Sequence, residues 1–267
     1  MNKVIFIVIL LFFTEQGYCQ INTFPTKGIS LSYALTQESF KDERLTFRNR
    51  VEDGFITTIS YFQVSERNLH RIDLGFGKNR INRNHRAATI INLRPQLTYT
   101  FQRKFIDWYV GGTMNIGSLL SFPNSNRWAG NNTISYTIWS SLGISGRYQK
   151  PFELKNQRFH VVADFHFPLL SYLIRPTYGL PYPSNYLEDG TFDFQRQNLT
   201  SALLRSGKIR SLDQFQYLET RLGLSTFLTS KQHEIRLSYL FDYFNVNEVK
   251  PVRQIRNGLE LSGAYKF

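Results

Sequence analysis

The sequence predicts an all-β protein, an antiparallel up-and-down transmembrane β-barrel of about ten strands. Three observations favour this fold: an alternating final strand, a high aromatic content, and connections that alternate between short and long. In the final strand, apolar residues occupy every second position, at Leu259, Leu261, Tyr265 and the terminal Phe267. Polar residues lie between them, at Glu260, Ser262 and Lys266. Such a strand suits a wall that meets lipid on one face and water on the other.

The final strand also resembles the carboxy-terminal assembly signal of Gram-negative outer-membrane β-barrel proteins, in which a Phe or Trp ends an alternating strand. The residues that carry the resemblance are Leu259, Leu261, Tyr265 and Phe267. The resemblance implies an integral protein of the outer membrane, in contact with lipid and lipopolysaccharide. It also implies the barrel assembly machinery as a partner during biogenesis. It identifies a class of protein and a location, but no particular member.

The amino terminus predicts export. Lys3 precedes an apolar run over residues 4–13, followed by a polar stretch that ends near Cys19. This is the layout of a cleaved secretory signal peptide, so we expect residues 1–19 to be removed and the barrel domain to span residues 20–267. The apolar run is about ten residues long, whereas a spanning helix needs roughly 20. Lipid modification of Cys19 is the alternative, and the bulky tyrosine before the cysteine disfavours it.

The composition fits a barrel. Aromatic residues make up 15% of the chain, yet no apolar run after the amino terminus is long enough for a spanning helix. A barrel conceals its membrane character because only every second residue of each strand meets lipid. The alternative is a secreted β-sandwich, which at about 250 residues is also a possible single domain. The final strand, the aromatic content and the connection pattern favour the barrel.

The first five strands are placed where apolar residues alternate between turn signals. They span residues 27–37, 54–64, 68–77, 88–102 and 105–117. The first has Ile29, Leu31, Tyr33 and Leu35 on one face. The second has a weak alternation. In the third and fourth strands, apolar residues on one face alternate with Arg71, Asp73 and Arg94 on the other. In the fifth, Trp108 and Asp107 lie on opposite faces.

The last five strands are predicted over residues 133–148, 158–172, 214–228, 232–245 and 256–267. In the sixth, isoleucines on even positions alternate with serine and threonine. The seventh has His160, Asp164 and His166 on its inner face. The eighth and ninth alternate leucine or aromatic residues with charged ones. An even number of strands places both termini on the periplasmic side. Eight or twelve strands would follow if the second strand or the longest loop is assigned wrongly.

The connections alternate in length along the chain. The short ones are near residues 65–67, 103–104 and 229–231, with a moderately longer one at 151–157. The long ones span residues 38–53, 78–87, 118–132, 173–213 and 246–253. Short periplasmic turns and longer external loops are the asymmetry expected of an outer-membrane barrel. Pro95 and Pro168 do not fit a continuous ladder, so we expect a bulge or a local break at each.

The inner faces bring ionisable side chains of both signs into one lumen. They are Arg71, Asp73, Arg94, Asp107, His160, Asp164, His166, Glu219, Arg221, Arg236 and Asp242. Ten strands enclose a narrow interior, and an unpaired desolvated charge costs about several kcal/mol. We therefore expect these charges to pair across the lumen and fill it. The alternative is a narrow channel for small polar solutes, disfavoured because neither sign of charge dominates.

Metal and catalytic sites are weakly indicated. His160, Asp164 and His166 share one face, but residues two apart on a strand are roughly 6.6–7 Å apart, and metal ligands must converge on one point. We expect a histidine bonded to a lumen carboxylate, without a metal or a cofactor. A surface hydrolase would need a nucleophile beside a base at the outer rim. His85, Ser118 and Ser121 lie in external loops, but their spacing matches no barrel hydrolase.

The external segments are basic. The second external loop carries Lys78, Arg80, Arg83 and Arg86 without an acidic residue. Later loops add Arg196, Arg205, Lys208, Arg210, Lys250 and Arg253. The formal net charge of the chain is +12. For an exported barrel, the phosphates of lipopolysaccharide are a more natural partner than nucleic acid. A merely solvated basic rim is the alternative.

The long loop over residues 173–213 is the predicted site of specific recognition, because structureless loops of this length are commonly functional. Its aromatic and arginine residues, within 178–210, suit a protein interface or a cap over the lumen. Residues 198–204 are compatible with a short helix. We therefore expect a non-enzymatic outer-membrane protein whose external loops bind lipopolysaccharide or a partner protein. A narrow channel and an outer-membrane hydrolase are the alternatives.

Overall fold

The computed structural model describes residues 26–42, 50–81, 89–124, 135–154, 157–175, 207–228, 232–247 and 251–267. These residues form strands joined by turns, and ten of the strands close into one antiparallel barrel. The predicted fold class and the count of ten barrel strands are confirmed. Within the described ranges, no helix is long and apolar enough to cross a membrane. The predicted signal peptide, residues 1–19, lies outside these ranges.

Eleven strands follow one another along the chain. They are β1 (Thr26–Asp42), β2 (Arg50–Val64), β3 (Asn68–Ile81), β4 (Thr89–Phe105), β5 (Trp108–Asn124), β6 (Ser135–Leu154), β7 (Gln157–Ile174), β8 (Lys208–Arg210), β9 (Phe215–Phe227), β10 (His233–Val246) and β11 (Val252–Lys266). All except β8 are barrel strands. The short β8 pairs with β7 alone, at Ser171 to Leu173.

Each barrel strand pairs with its neighbours in the chain, and β1 pairs with β11 to close the ring. The closing ladder is continuous from Gly28 opposite Lys266 to Asp42 opposite Val252. We call the end of the barrel where β1 begins and β11 ends the terminal end, and the opposite end the loop end. The turns at the terminal end are short, such as the two residues between β4 and β5. The predicted alternation of short and long connections is therefore present.

The two prolines interrupt the ladders, as the sequence predicts. Between β4 and β5, pairing stops after Leu93 and resumes at Gln96, so Pro95 occupies a local break. Between β6 and β7, the register shifts by one residue at Leu142 and Gly143, where Pro168 lies opposite Gly143. Proline lacks the N–H that a ladder needs, so it is tolerated at such irregularities.

The strands extend further toward the loop end than predicted. β1 runs to Asp42 instead of ending at residue 37, β3 to Ile81 instead of 77, and β5 to Asn124 instead of 117. The connections at the loop end are shorter in consequence, and the barrel wall is taller. The reason is that apolar-outward alternation stops where the wall leaves the lipid, whereas hydrogen bonding between the strands continues.

A belt of apolar side chains surrounds the outer face of the barrel. On the closing strands it includes Leu31, Leu261 and Leu237, which lie close together because the three strands are neighbours. Leu237 is 56% exposed and faces away from the lumen. An exposed apolar surface of this extent on a closed barrel is the surface that a bilayer covers.

A charge placed within this apolar belt is expected to destabilise the protein. Leu237→Arg is expected to lower the free energy of unfolding in phospholipid vesicles by about 2–4 kcal/mol, because the charge would face hydrocarbon. Val51→Arg is the matched control: Val51 is also exposed, but it lies at the loop end of β2 opposite Ser39. The control is expected to cost about 1 kcal/mol or less. Equal effects of the two substitutions, in denaturant titrations of the refolded protein, would contradict a lipid belt at Leu237.

Candidate functional site

Aromatic side chains fill the lumen near its loop end. Trp139 of β6 lies inside the barrel with its ring centroid 5.0 Å from that of Phe244 and 6.3 Å from that of Phe215. Phe40 of β1 belongs to the same buried cluster. Trp139 Nε1 donates a hydrogen bond to Asn115 Oδ1 at 3.0 Å. Inward-facing rings at this level occupy the space through which a solute would enter.

Arg94 joins the aromatic cluster to the charges beneath it. Its guanidinium carbon lies 5.5 Å from the centre of the Trp139 ring and 5.2 Å from that of Tyr217, within range of cation–π attraction. Arg94 Nη1 also donates to Asp242 Oδ2 at 2.6 Å. Arg94 lies on β4 and Asp242 on β10, so this ion pair crosses the lumen. It connects the two sides of the barrel at mid-height.

A second group of charges surrounds Glu38 of β1. Arg256 of β11 donates to Glu38 Oε2 from Nη2 at 2.8 Å and from Nε at 3.0 Å. Asn79 of β3 donates to the same carboxylate. Arg256 Nη1 also lies 3.7 Å from Asp242, which links this group to Arg94. The carboxylates here have several donors each, as buried carboxylates require.

A third group is built around Arg221 of β9. Its Nη2 lies 2.8 Å from Glu219 Oε1 and its Nε lies 3.3 Å from Glu260 Oε2. The Tyr217 hydroxyl donates to Glu219, and Gln96 Nε2 donates to that hydroxyl oxygen from across the lumen at 3.0 Å. Glu219 and Arg221 thus pair with each other along β9, and Arg221 also pairs with Glu260 of β11.

Three arginines converge on Asp164 of β7. Arg236 Nη2 donates to Asp164 Oδ2 at 2.7 Å, Arg147 Nε lies 3.7 Å from Oδ1, and Arg71 Nη1 lies 3.8 Å from Oδ2. Arg71 Nε also donates to Asp73 Oδ1 at 2.6 Å. Asp164 therefore neutralises guanidinium groups from β3, β6 and β10 at once. We call Arg71, Arg147, Arg236 and Asp164 the arginine cluster.

Ion pairs also lie near both ends of the lumen. Asp42 and Arg175, buried at the loop end, approach to 3.2 Å between β1 and the end of β7. Glu234 and Lys266 approach to 2.7 Å at the terminal end. Charges of both signs are thus distributed along the whole lumen, and the cations named here each face a carboxylate.

Little space remains among these groups. A cavity of about 30 Å³ lies between Arg94, Asp73, Glu219 and His166, which is room for roughly two water molecules. It exists because Gly75 and Gly77 on β3 face the lumen without side chains and line it. A cavity of this size does not admit an organic solute.

One residue of the predicted lumen network is placed elsewhere. Asp107 lies in the two-residue turn between β4 and β5, where its side chain is exposed and its backbone carbonyl accepts the Gln149 N–H. The prediction was wrong because β5 begins at Trp108, not at residue 105. Ile106 makes the tight turn with a φ of 54°. The other ten predicted residues lie on barrel strands and point into the lumen.

His160 and His166 lie on β7 and face the lumen. His160 packs edge-on against Phe227, with 5.4 Å between ring centroids, and His166 is paired in register with Glu219. Within the described ranges, no group of three His, Cys, Asp or Glu side chains is arranged to hold a metal ion. Of the hydrolase candidates, Ser121 lies inside the barrel and donates to Asn92 Oδ1 at 2.7 Å. Ser118 lies on β5 rather than in a loop, and His85 falls outside the described residues.

Some of the predicted external basic residues lie on barrel strands and not in loops. Lys78 and Arg80 belong to β3, with Lys78 exposed on the outer face, so the prediction that they lie in a loop is corrected. Lys208 and Arg210 form part of β8, which hydrogen-bonds to β7 above the lipid belt. Outside the described ranges are Arg83, Arg86, Arg196, Arg205, Lys250 and residues 198–204.

The predicted assembly signal lies on the outer face of the closing strand. Leu259, Leu261, Tyr265 and Phe267 are exposed there. This strand pairs with β1, so the signal flanks the seam that closes the barrel.

Several charged residues of the lumen escaped sequence reasoning. They are Glu38, Asp42, Arg147, Arg175, Glu234 and Arg256. Arg147 lies on an inner position of a strand that the sequence predicts, so the alternation alone was sufficient to find it. Glu38 and Asp42 were missed because β1 was ended too early, at the point where an inward Phe40 breaks the pattern.

No protein-family profile matches the chain, and no curated protein matches it in sequence. Solved outer-membrane structures match it at low similarity. The translocator domain of the autotransporter NalP from Neisseria meningitidis is 9% identical with a TM-score of 0.44, over 93% of this chain and 90% of that one. Neisserial surface protein A is 13% identical with a TM-score of 0.36, over 90% and 97%. An outer-membrane channel from Pseudomonas putida F1 is 11% identical with a TM-score of 0.34, over 95% and 100%.

Ten antiparallel strands of this chain form a closed ring that is apolar outside and polar inside, with short turns at the terminal end. The chain therefore has the fold of an antiparallel transmembrane β-barrel of ten strands.

Proposed function

We propose that the protein is a non-enzymatic, integral component of the outer membrane whose closed barrel is a scaffold for its external loops. The loops would contact lipopolysaccharide or a partner protein. The filled lumen is the observation that carries this proposal. The Arg94–Asp242 pair and the Gln96–Tyr217 hydrogen bond cross the lumen at mid-height. The aromatic cluster at Trp139 closes it above.

The same packing argues against the narrow channel. A path for ions or solutes needs continuous water, and the mid-lumen cavity holds roughly two water molecules. Opening the path would separate buried ion pairs such as Arg94–Asp242, at a cost of about 3–5 kcal/mol each. Balanced charge along the lumen also gives no basis for selecting one sign of ion.

Outward-facing cations above the lipid belt support a contact with lipopolysaccharide. Lys41 of β1 and Arg253 of β11 are cross-strand partners on the outer face near the loop end. A polyanion that lies along the wall at this level would contact both cations at once. Lys78 is exposed at a similar level on β3. Phosphates bind well to several such cations together.

The partner-protein alternative depends on the long segment between β7 and β9. Residues 178–210 were the predicted interface, and β8 now holds their last residues against β7. Ile209 in β8 is exposed, as a contact residue would be. Residues 176–206 of this segment lie outside the described ranges.

Conductance tests the closed lumen. The refolded protein in planar phospholipid bilayers is expected to give no steady single-channel steps, because rings and ion pairs occupy the lumen. A porin reconstituted in parallel serves as the positive control. Reproducible steps that scale with protein concentration, and that are absent for heat-unfolded protein, would contradict the scaffold and favour the channel.

A further inference from the structure

The cavity at mid-lumen has a polar lining whose charges balance. Its charged groups are the guanidinium groups of Arg94, Arg221 and Arg256 and the carboxylates of Asp73, Glu219 and Asp242. Because these positive and negative groups are equal in number, the cavity needs no ion to neutralise it. Cavities that stay empty in proteins are apolar, whereas polar cavities of sufficient size hold ordered water.

Two buried nitrogen atoms of the lining make no hydrogen bond to the described part of the chain. They are Nε of Arg94 on β4 and Nδ1 of His166 on β7. Arg94 is 3% exposed and His166 is 8% exposed, so bulk water solvates neither residue. A buried polar group without a partner destabilises the folded state.

Neither side chain is free to find a partner elsewhere in the lumen. Both Nη atoms of Arg94 donate to Asp242, and Nη1 also donates to Gln254 Oε1 at 3.2 Å. His166 lies on a continuous part of the β7–β9 ladder, in register with Glu219. The partners of the two nitrogen atoms therefore have to come from molecules inside the cavity.

The space for such molecules lies beside Gly75 of β3, which faces the lumen and lines the cavity. An added Cβ at Gly75 would have Thr58 Oγ1 as its nearest atom, at 3.6 Å. This is an ordinary van der Waals distance, so an alanine fits at this position without a clash. Its methyl group would occupy roughly the space of one water molecule.

We propose that the cavity binds about two water molecules as a fixed part of the lumen network. Arg94 Nε donates a hydrogen bond to one of them, and His166 Nδ1 is bonded to the other. Water suits the site because it both donates and accepts, so it can bond the nitrogen atoms and the carboxylates together. A halide cannot donate to the carboxylates. The bound waters join β4 to β7 where no direct contact between Arg94 and His166 does so.

Gly75→Ala tests whether the cavity is occupied, by denaturant titration of the refolded protein in detergent micelles. In an empty cavity the methyl group would stabilise the protein, because it restricts the unfolded chain. We expect the opposite sign, since the methyl group displaces a water and leaves a buried nitrogen unpaired. The equilibrium constant for folding is expected to fall about tenfold.

The matched control is Gly263→Ala on the outer face of β11, where no atom of the described residues lies within 4 Å of an added Cβ. This substitution is expected to raise the equilibrium constant for folding about two- to fivefold. Stabilisation by Gly75→Ala to the same extent would overturn the proposal.

A high-resolution crystal structure of the wild-type protein, soaked in sodium bromide, identifies the occupant. Density without an anomalous signal is expected within hydrogen-bond distance of Arg94 Nε and His166 Nδ1. An empty cavity, or an anomalous bromide peak inside it, would overturn the proposal. If Gly75→Ala fails to fold, the crystal structure alone decides. Cavity occupancy is measured independently of conductance, so this proposal and the closed-lumen test can fail separately.

Discussion

Replacing Asp164 with asparagine is expected to lower the free energy of unfolding by about 3–5 kcal/mol. The change keeps the volume of the side chain but removes the carboxylate shared by Arg71, Arg147 and Arg236. Three guanidinium groups would then face one another in a narrow, partly desolvated space. Denaturant titration of the refolded protein in detergent, followed by tryptophan fluorescence, measures the loss.

The matched control is Asp107→Asn. Asp107 is exposed in the β4–β5 turn, and the hydrogen bond that it accepts is made by its backbone. The substitution is expected to change stability by no more than about 0.5 kcal/mol. An equal loss for both variants would mean that net charge, and not the cluster around Asp164, determines stability. It would also revive the placement of Asp107 in the lumen.

Replacing Trp139 with alanine is expected to cost about 3–5 kcal/mol, the range for removal of a large buried aromatic side chain. Its ring packs on Phe244 and lies within cation–π range of Arg94. It also fills the space above Gly117, where an added Cβ would lie 2.5 Å from the ring. The cavity left behind would be lined by rings from several strands. Circular dichroism on heating is the suitable measurement, because the substitution removes a fluorophore.

Trp108→Ala provides the comparison, since it removes the same side chain from the outer face. Trp108 is exposed and packs mainly on Tyr148, with 5.0 Å between ring centroids. An aromatic pair of this kind contributes about 0.5–1.5 kcal/mol. A loss at Trp108 as large as that at Trp139 would contradict the view that the inner aromatic cluster is the main apolar core.

The fold was predictable because lipid and water impose a period of two on every barrel strand. Leu259, Leu261 and Tyr265 follow this period on β11, although the strand begins at Val252 and not at residue 256. The loop ends of the strands were not predictable by the same rule. Above the belt, Lys41 faces outward and Phe40 faces inward on β1. The pattern of apolar residues outside and polar residues inside is therefore reversed there, although β1 still pairs with β11.

The sequence predicts which side chains face the lumen, but not which of them pair with each other. Alternation placed Arg94 and Asp242 on inner faces, yet their residue numbers differ by 148 and nothing local pairs them. Which residues meet across the lumen depends on the stagger of the strands around the whole ring. Inward aromatic residues such as Trp139 were missed because apolar residues were expected to face lipid. A strand end that is wrong by two or three residues was enough to misplace Asp107.

The ion pairs that cross the lumen have a consequence for how the barrel folds. Arg94 belongs to the first half of the chain and Asp242 to the last strands, and Arg71 and Asp164 are similarly remote. An intermediate made of successive hairpins can form most of its ladders but cannot pair these charges. Its inner face would therefore stay hydrated until β1 meets β11. Closure of the seam and expulsion of water from the interior would then be a single cooperative step, late on the folding pathway.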